Sequence, residues 1–310
     1  MQPNVNLIKG IAWMIGSLTS FTLMTVSVRE LGGDMHPFQI LFIRSTIGIL
    51  ILLPIITHFG KGRPEGGWRQ IRRRFLAGHT LRNIIHFTGQ VLWILGVGLL
   101  PLATVSAIEF TSPLWGGLLA VLFLGERINR GRLAAFTLGF VGILIIVRPG
   151  FIEISDGILI MLTCAFFFGA TGAITKWLTR RETTLAITFY MVTMQAAFGG
   201  VASVFVWEPV LLEHLPWLLL VGVSGLSAHF CLTSALATAD ATFVMPIDFL
   251  RLPLVALVGY LVYAEAFEMD ILLGALIIFS GNYISLRYET RRGRPPQPPA
   301  APPSTGNTVV

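Results

Sequence analysis

An all-α polytopic membrane protein of ten transmembrane helices, built as two inverted five-helix repeats, is the fold this sequence predicts, on three observations. Of its 310 residues 54% are hydrophobic and 12% charged, with a mean hydropathy of +0.75, more apolar surface than one soluble core could bury. The apolar runs reach about 20 residues without period-two alternation, and in lipid only helices or closed barrels satisfy their own backbone, so these runs are helices. Finally, Ile108-Glu109-Phe110 returns as Ile247-Asp248-Phe249, each copy setting one carboxylate inside an apolar run, 139 residues apart.

The spans follow in order. Span one, 9–29, has only Lys9 as a basic residue ahead of it and no small-residue cleavage site, so it reads as retained rather than as a signal peptide. Span two, 38–58, leads into the arginine-rich loop 59–74, expected to lie as a short amphipathic helix on the anionic headgroups of the lipid bilayer, with a regulatory or partner-binding role as the alternative. Span three, 75–97, joins span four, 101–124, through Leu99-Leu100-Pro101; span eight, 215–236, joins span nine, 240–263, through Thr238-Ala239-Asp240. Connections that short make tight antiparallel hairpins. Span five, 131–148, carries Ala135, Gly139 and Gly142, and span ten, 269–288, carries Gly274 and Gly281, small residues that let helix backbones approach within the chain or, alternatively, across a dimer.

Spans six, 157–178, and seven, 184–206, repeat the first two at an offset of 147, which lays Phe21 on Phe168, Arg29 on Lys176 and Phe42 on Phe189. The 139 offset also carries Gly125-Glu126 onto Ala264-Glu265 and Gly142 onto Gly281. Residues 9–148 and 157–288 are therefore read as two repeats, and an odd number of spans turns the second upside down relative to the first. Residues 289–310 turn to Arg, Pro, Ala and Ser and are expected to form a disordered cytoplasmic tail.

A net charge of +6 could suggest nucleic acid, but its distribution answers a different question. Seventeen lysines and arginines fall on the side of the N-terminus and two, Arg29 and Arg148, on the other. The positive-inside rule then puts both termini in the cytoplasm and the chain in the inner membrane, with no nucleic-acid partner. Cys164 and Cys231 both lie within spans and read as small packing residues; no metal site and no cofactor are expected.

Five formal charges stand inside spans: Arg44, Arg82, Glu109, Asp248 and Arg251. Each costs on the order of 3 kcal/mol at mid-bilayer on insertion scales, so each should face protein or water and find a partner. Asp248 and Arg251 are three apart and can pair with each other, or can serve a ligand. Glu109 has no such neighbour, and Arg44 or Arg82 from another helix is its expected partner. In span three Arg82, His86, Gln90 and Trp93 recur at four, four and three, a polar stripe on one face that reads as a cavity wall. The 139 offset sets His229 of span eight against Gln90. Three arginines against two carboxylates leave one positive charge, which favours a cargo with an anionic or zwitterionic group. Phe21, Phe110, Trp115, Phe168 and Phe249 could give it aromatic walls. Glu126 and Glu265, at matched loop positions, are expected to be gating contacts or, more plainly, caps and ion pairs.

Ser112-Pro113-Leu114-Trp115, then Leu124-Gly125-Glu126-Arg127, then Leu138-Gly139-Phe140-Val141-Gly142 resemble the EamA-type domain of the drug/metabolite transporter superfamily. Leu252-Pro253-Leu254, Tyr263-Ala264-Glu265 and Gly274-Ala275-Leu276 form a weaker second copy, and the resemblance spans roughly 10–288. It implies a ten-span carrier with a central cavity and alternating access, moving a small-molecule metabolite such as an amino acid, a nucleoside-like compound or a vitamin. A proton could be coupled through Glu109 or Asp248; uniport and exchange stay open beside it, as do import, export and the oligomeric state. The alternative is a membrane-integral enzyme acting on lipid-linked phosphates, for which Arg72, Arg73, Arg74, His79 and Arg82 are available but no nucleophile–base pair is apparent.

Overall fold

In the structure, a computed structural model, residues 3–59, 67–71, 73–124, 129–148, 155–178, 181–238, 247–266 and 268–291 are described. Among them are eight stretches long and apolar enough to cross a membrane. The helices are α1 (Pro3–Leu31), α2 (Pro37–Phe59), α3 (Leu76–Leu99), α4 (Leu102–Glu109), α5 (Ser112–Leu124), α6 (Arg130–Val147), α7 (Asp156–Leu178), α8 (Thr184–Ser203), α9 (Leu215–Thr238), α10 (Arg251–Tyr263) and α11 (Met269–Arg291), with no strand among the described residues. Helices α4 and α5 together make span four. The spans outside the eight are α3 and the ninth, and each falls short for a physical reason. Helix α3 is diluted by His79, Arg82, Asn83, His86 and Gln90, all buried, so its polar face turns into the protein. The ninth is interrupted just after Asp248, leaving α10 too short to cross alone. Ten membrane helices in two repeats result.

The packing obeys the exchange of halves that an inverted repeat requires. Helix α1 lies against α9 and α3 against α7, a matched pair of contacts; α2 lies against α8 and α6 against α11, each joining a helix to its own counterpart. Asn129 opens α6 by accepting from the Arg132 backbone N–H at 3.0 Å, and Thr183 opens α8 by accepting from that of Ala186 at 3.2 Å. The small residues of spans five and ten meet one another inside the chain. A Cβ on Gly142 would stand 2.6 Å from the Gly274 carbonyl oxygen, and one on Gly274 would stand 2.8 Å from that of Gly142. Backbone cannot yield as a flexible side chain does. Gly142→Ala is therefore expected to force α6 and α11 apart and to cost about 1–3 kcal/mol, read as a lower melting temperature of the detergent-solubilised protein.

The arginine-rich loop differs from expectation. Its described residues form two 3-10 turns, Gly67–Gln70 and Arg73–Phe75, rather than one amphipathic helix. Gly67 takes a left-handed φ of 61°, which an α-helix cannot contain. Residues 60–66 and 72, the Glu126 loop and the tail from 292 lie outside the described residues.

Candidate functional site

The two carboxylates sit at matched breaks. Glu109 is the last residue of α4, Phe110 and Thr111 turn, and α5 begins at Ser112; Ile247 and Asp248 are helical, Phe249 and Leu250 turn, and α10 begins at Arg251. The cause is written in the chain. Pro113 lacks the N–H that would reach the Glu109 carbonyl, and Pro253 lacks the one that would reach Phe249. The freed groups find other partners. Ser112 Oγ donates to the Glu109 carbonyl at 2.6 Å, Thr111 Oγ1 to that of Ile108 at 2.7 Å, and Asn282 Nδ2 of α11 to that of Phe110 at 3.2 Å. Broken helices at mid-membrane, with termini turned toward a cavity, are how carriers build binding sites.

Arg251, the first residue of its half-helix, joins the breaks. Its Nη1 donates to Glu109 Oε1 at 3.1 Å and its Nη2 stands 3.9 Å from Asp248 Oδ2. Trp93 Nε1 donates to the other Glu109 oxygen at 3.0 Å. The guanidinium carbon lies 4.7 Å from the Phe21 ring centroid and 4.9 Å from that of Phe110, so two aromatic faces flank the charge. Glu109 thus takes Arg251, from the other repeat, and not Arg44 or Arg82 as the sequence led us to expect. Arg251 is at hand because the break aims the start of α10 at the end of α4.

A cavity of about 530 Å³ opens from this cluster. Its upper wall is Glu109, Asp248 and Arg251; Phe110, Phe168, Phe249 and Phe279 line its flanks, and Arg132, Lys176 and Leu286 mark its far reach, toward the membrane face of the two termini. The Phe249 ring centroid lies 4.9 Å from that of Phe110 and 4.3 Å from that of Phe279, tilted against both. Arg44, Arg82, His86, Gln90, Trp93 and His229 do not line this cavity; they form a second layer behind it. Phe21, which touches Arg251, has its centroid 5.5 Å from that of His229; His229 is 6.3 Å from His86, and His86 is 5.9 Å from Phe168.

The opposite membrane face is stitched between the repeats. Arg29 Nη2 donates to Glu265 Oε1 at 2.6 Å and to the Leu100 carbonyl at 2.7 Å, while the Leu102 backbone N–H donates to Glu265 Oε2 at 2.8 Å. Nearby, Tyr263 donates its hydroxyl to Glu30 at 2.7 Å, Arg148 pairs with Asp270, and Gln39 exchanges bonds of 2.8 and 2.9 Å with the backbone of Glu208. Glu265 thus ties the end of α1, the α3–α4 hairpin and the end of α10 together. Glu126 lies outside the described residues. Asn282 and Ser112 escaped the sequence reading as site residues; a proline four residues after Glu109 and five after Asp248 was the available signal for the breaks.

The chain matches the EamA-like transporter family over residues 8–148 and 155–287. It is 30% identical to an S-adenosylmethionine uptake transporter of Rickettsia bellii, over 91% of this chain and 94% of that one. It is 32% identical to a riboflavin transporter of Rhizobium johnstonii, over 93% and 94%. A crystal structure at 16% identity superposes with a TM-score of 0.60, covering 94% of this chain and 99% of its own, a likeness of fold.

Proposed function

Because the chain belongs to the EamA-like transporter family, we propose that it carries a small metabolite with a planar heterocycle and a cationic group, bound where Glu109, Asp248 and Arg251 converge. The convergence itself supports the reading. Each repeat delivers one carboxylate, at a helix break, to a shared arginine at the head of a cavity flanked by phenylalanine. Two carboxylates against one guanidinium leave a negative charge that a cargo cation would offset, and the rings offer faces for a heterocycle to stack on. The positive excess read from the sequence reverses at the cavity, since Arg44 and Arg82 stand behind it. Of the relatives' cargoes, S-adenosylmethionine joins a purine to cationic centres, whereas riboflavin is flat and uncharged, so the charges favour the first. As a transporter, the chain is not an enzyme on lipid-linked phosphates.

In this reading both termini are cytoplasmic, the cavity faces the cytoplasm and the Glu265 knot closes the outside. The halves rock about the breaks to expose the site to each side in turn. A carboxylate that has released the cargo cation can take up a proton in its place, so uptake should respond to an imposed pH gradient. The test is initial-rate uptake of labelled S-adenosylmethionine and riboflavin into proteoliposomes. Saturable S-adenosylmethionine uptake that excess riboflavin does not compete away is expected. Riboflavin uptake alone would remove the cationic requirement, and uptake of neither would remove the proposed cargo class.

A further inference from the structure

Behind the acidic head of the cavity lies a layer of opposite sign. Arg44 of α2 and Arg82 of α3 are 8% and 7% exposed, and neither pairs with a carboxylate among the described residues. Arg82 is held by neutral groups only, its Nε on Thr175 Oγ1 at 3.3 Å and its Nη1 on Asn83 Oδ1 at 2.8 Å. Arg44 makes no hydrogen bond or ion pair among the described residues. Its guanidinium lies close against α9 at Gly225: a Cβ there would meet Nε directly and stand 3.0 Å from Cζ and from Nη2. Glycine there is what leaves room for the guanidinium. Both arginines lie within electrostatic range of His86 and His229. Ser224 Oγ, next to Gly225, and Gln90 Oε1, one turn beyond His86, are buried without partners.

Two guanidinium charges buried around the same two histidines without a carboxylate partner are costly to fold around, and an anion placed between them would offset that cost. We propose that Arg44 and Arg82 form an anion site for the cargo's carboxylate, so that the cargo lies across the Phe21–Phe168 layer with its cation on Glu109 and Asp248 and its carboxylate on the arginines. This rests on the preceding reading for the identity of the cargo, but the anion site can be tested without it. A zwitterion is then selected at both ends: a neutral molecule satisfies neither, and a simple cation leaves the arginines uncompensated.

The test compares the purified wild-type protein with Arg44→Met, using thermal stability as the readout and three probes. S-adenosylhomocysteine and its carboxyl methyl ester share ring and ammonium and differ in the carboxylate charge; sodium acetate against sodium chloride at equal ionic strength probes the anion alone. In the wild type S-adenosylhomocysteine should stabilise at a tenfold or more lower concentration than the ester, and acetate should stabilise more than chloride. In Arg44→Met both differences should vanish, while the ligand-free melting temperature holds or rises because an uncompensated buried charge is gone. Gly225→Ala, which displaces the guanidinium but keeps its charge, should lose the preference too. Equal potency of acid and ester in the wild type, or a preference that survives Arg44→Met, would overturn the proposal. An acetate effect lost in Arg44→Met, in a protein that carries no S-adenosylmethionine, would uphold the anion site and remove the cargo.

Discussion

Glu109→Gln is expected to reduce the initial rate of transport at least a hundredfold while leaving a folded protein. The amide keeps an oxygen to accept from Trp93 Nε1, now at 3.0 Å, so the side chain stays in place. It removes the charge that faces Arg251 at 3.1 Å. Breaking a buried pair by deleting one partner typically costs about 3–5 kcal/mol, because the survivor is left uncompensated. Here it is not, since Asp248 remains 3.9 Å from the same guanidinium, and the loss of stability should stay nearer 1–2 kcal/mol. Arg251→Gln is the sharper lesion. It leaves two largely buried carboxylates facing each other and should take the full cost. The order of melting temperatures is then wild type, Glu109→Gln, Arg251→Gln, and the double variant should recover stability over Arg251→Gln without recovering transport. Proteoliposome uptake measured beside thermal unfolding checks both. A Glu109→Gln protein that transports normally would reduce the triad to a structural tie.

That triad marks the limit of what the sequence disclosed. The duplication, the ten spans and the inward turn of Arg82, His86, Gln90 and Trp93 were legible because each depends on spacing along one helix or on an offset along the chain. Partner choice between helices was not. Arg44 and Arg82 looked as available to Glu109 as Arg251 did, and periodicity says nothing about which repeat leans on which. Only the breaks at 110–111 and 249–250 settle it, by swinging the start of α10 under the end of α4. Pro113 and Pro253 announced those breaks, yet a proline near a helix start and a proline in mid-span look alike until the carbonyl it abandons is known to be the carboxylate residue's own or its neighbour's. The layer behind the cavity was invisible for a related reason. A count of the five charges inside spans gave a positive excess of one, whereas the structure divides that set into a negative head, Glu109, Asp248 and Arg251, and a positive back, Arg44 and Arg82.

Glu265→Gln is expected to shift the carrier toward the state open on the face opposite the termini. The carboxylate holds Arg29 at 2.6 Å and the Leu102 N–H at 2.8 Å, and Arg29 in turn holds the Leu100 carbonyl at 2.7 Å. Hydrogen bonds to charged groups contribute about 1.5–3 kcal/mol each, and about 1.4 kcal/mol is tenfold in a population. Both groups of the ion pair are largely buried, 19% and 14% exposed, so solvent screening removes only part of this. A tenfold shift follows from losing one bond's worth of closure. Spin labels at Gly33 and Ala266, exposed positions flanking the knot, should report a single short separation in the wild type and a second, longer one in Glu265→Gln and in Arg29→Gln. The repeat supplies the control, because by sequence Glu126 and Lys176 hold the positions matching Glu265 and Arg29 on the other face. If the knots are paired gates, Glu126→Gln added to Glu265→Gln should restore the short separation, since each variant then weakens one of two opposed closures. An unchanged distribution in Glu265→Gln would make the knot a cap on the α3–α4 hairpin, and the second substitution would then have nothing to restore.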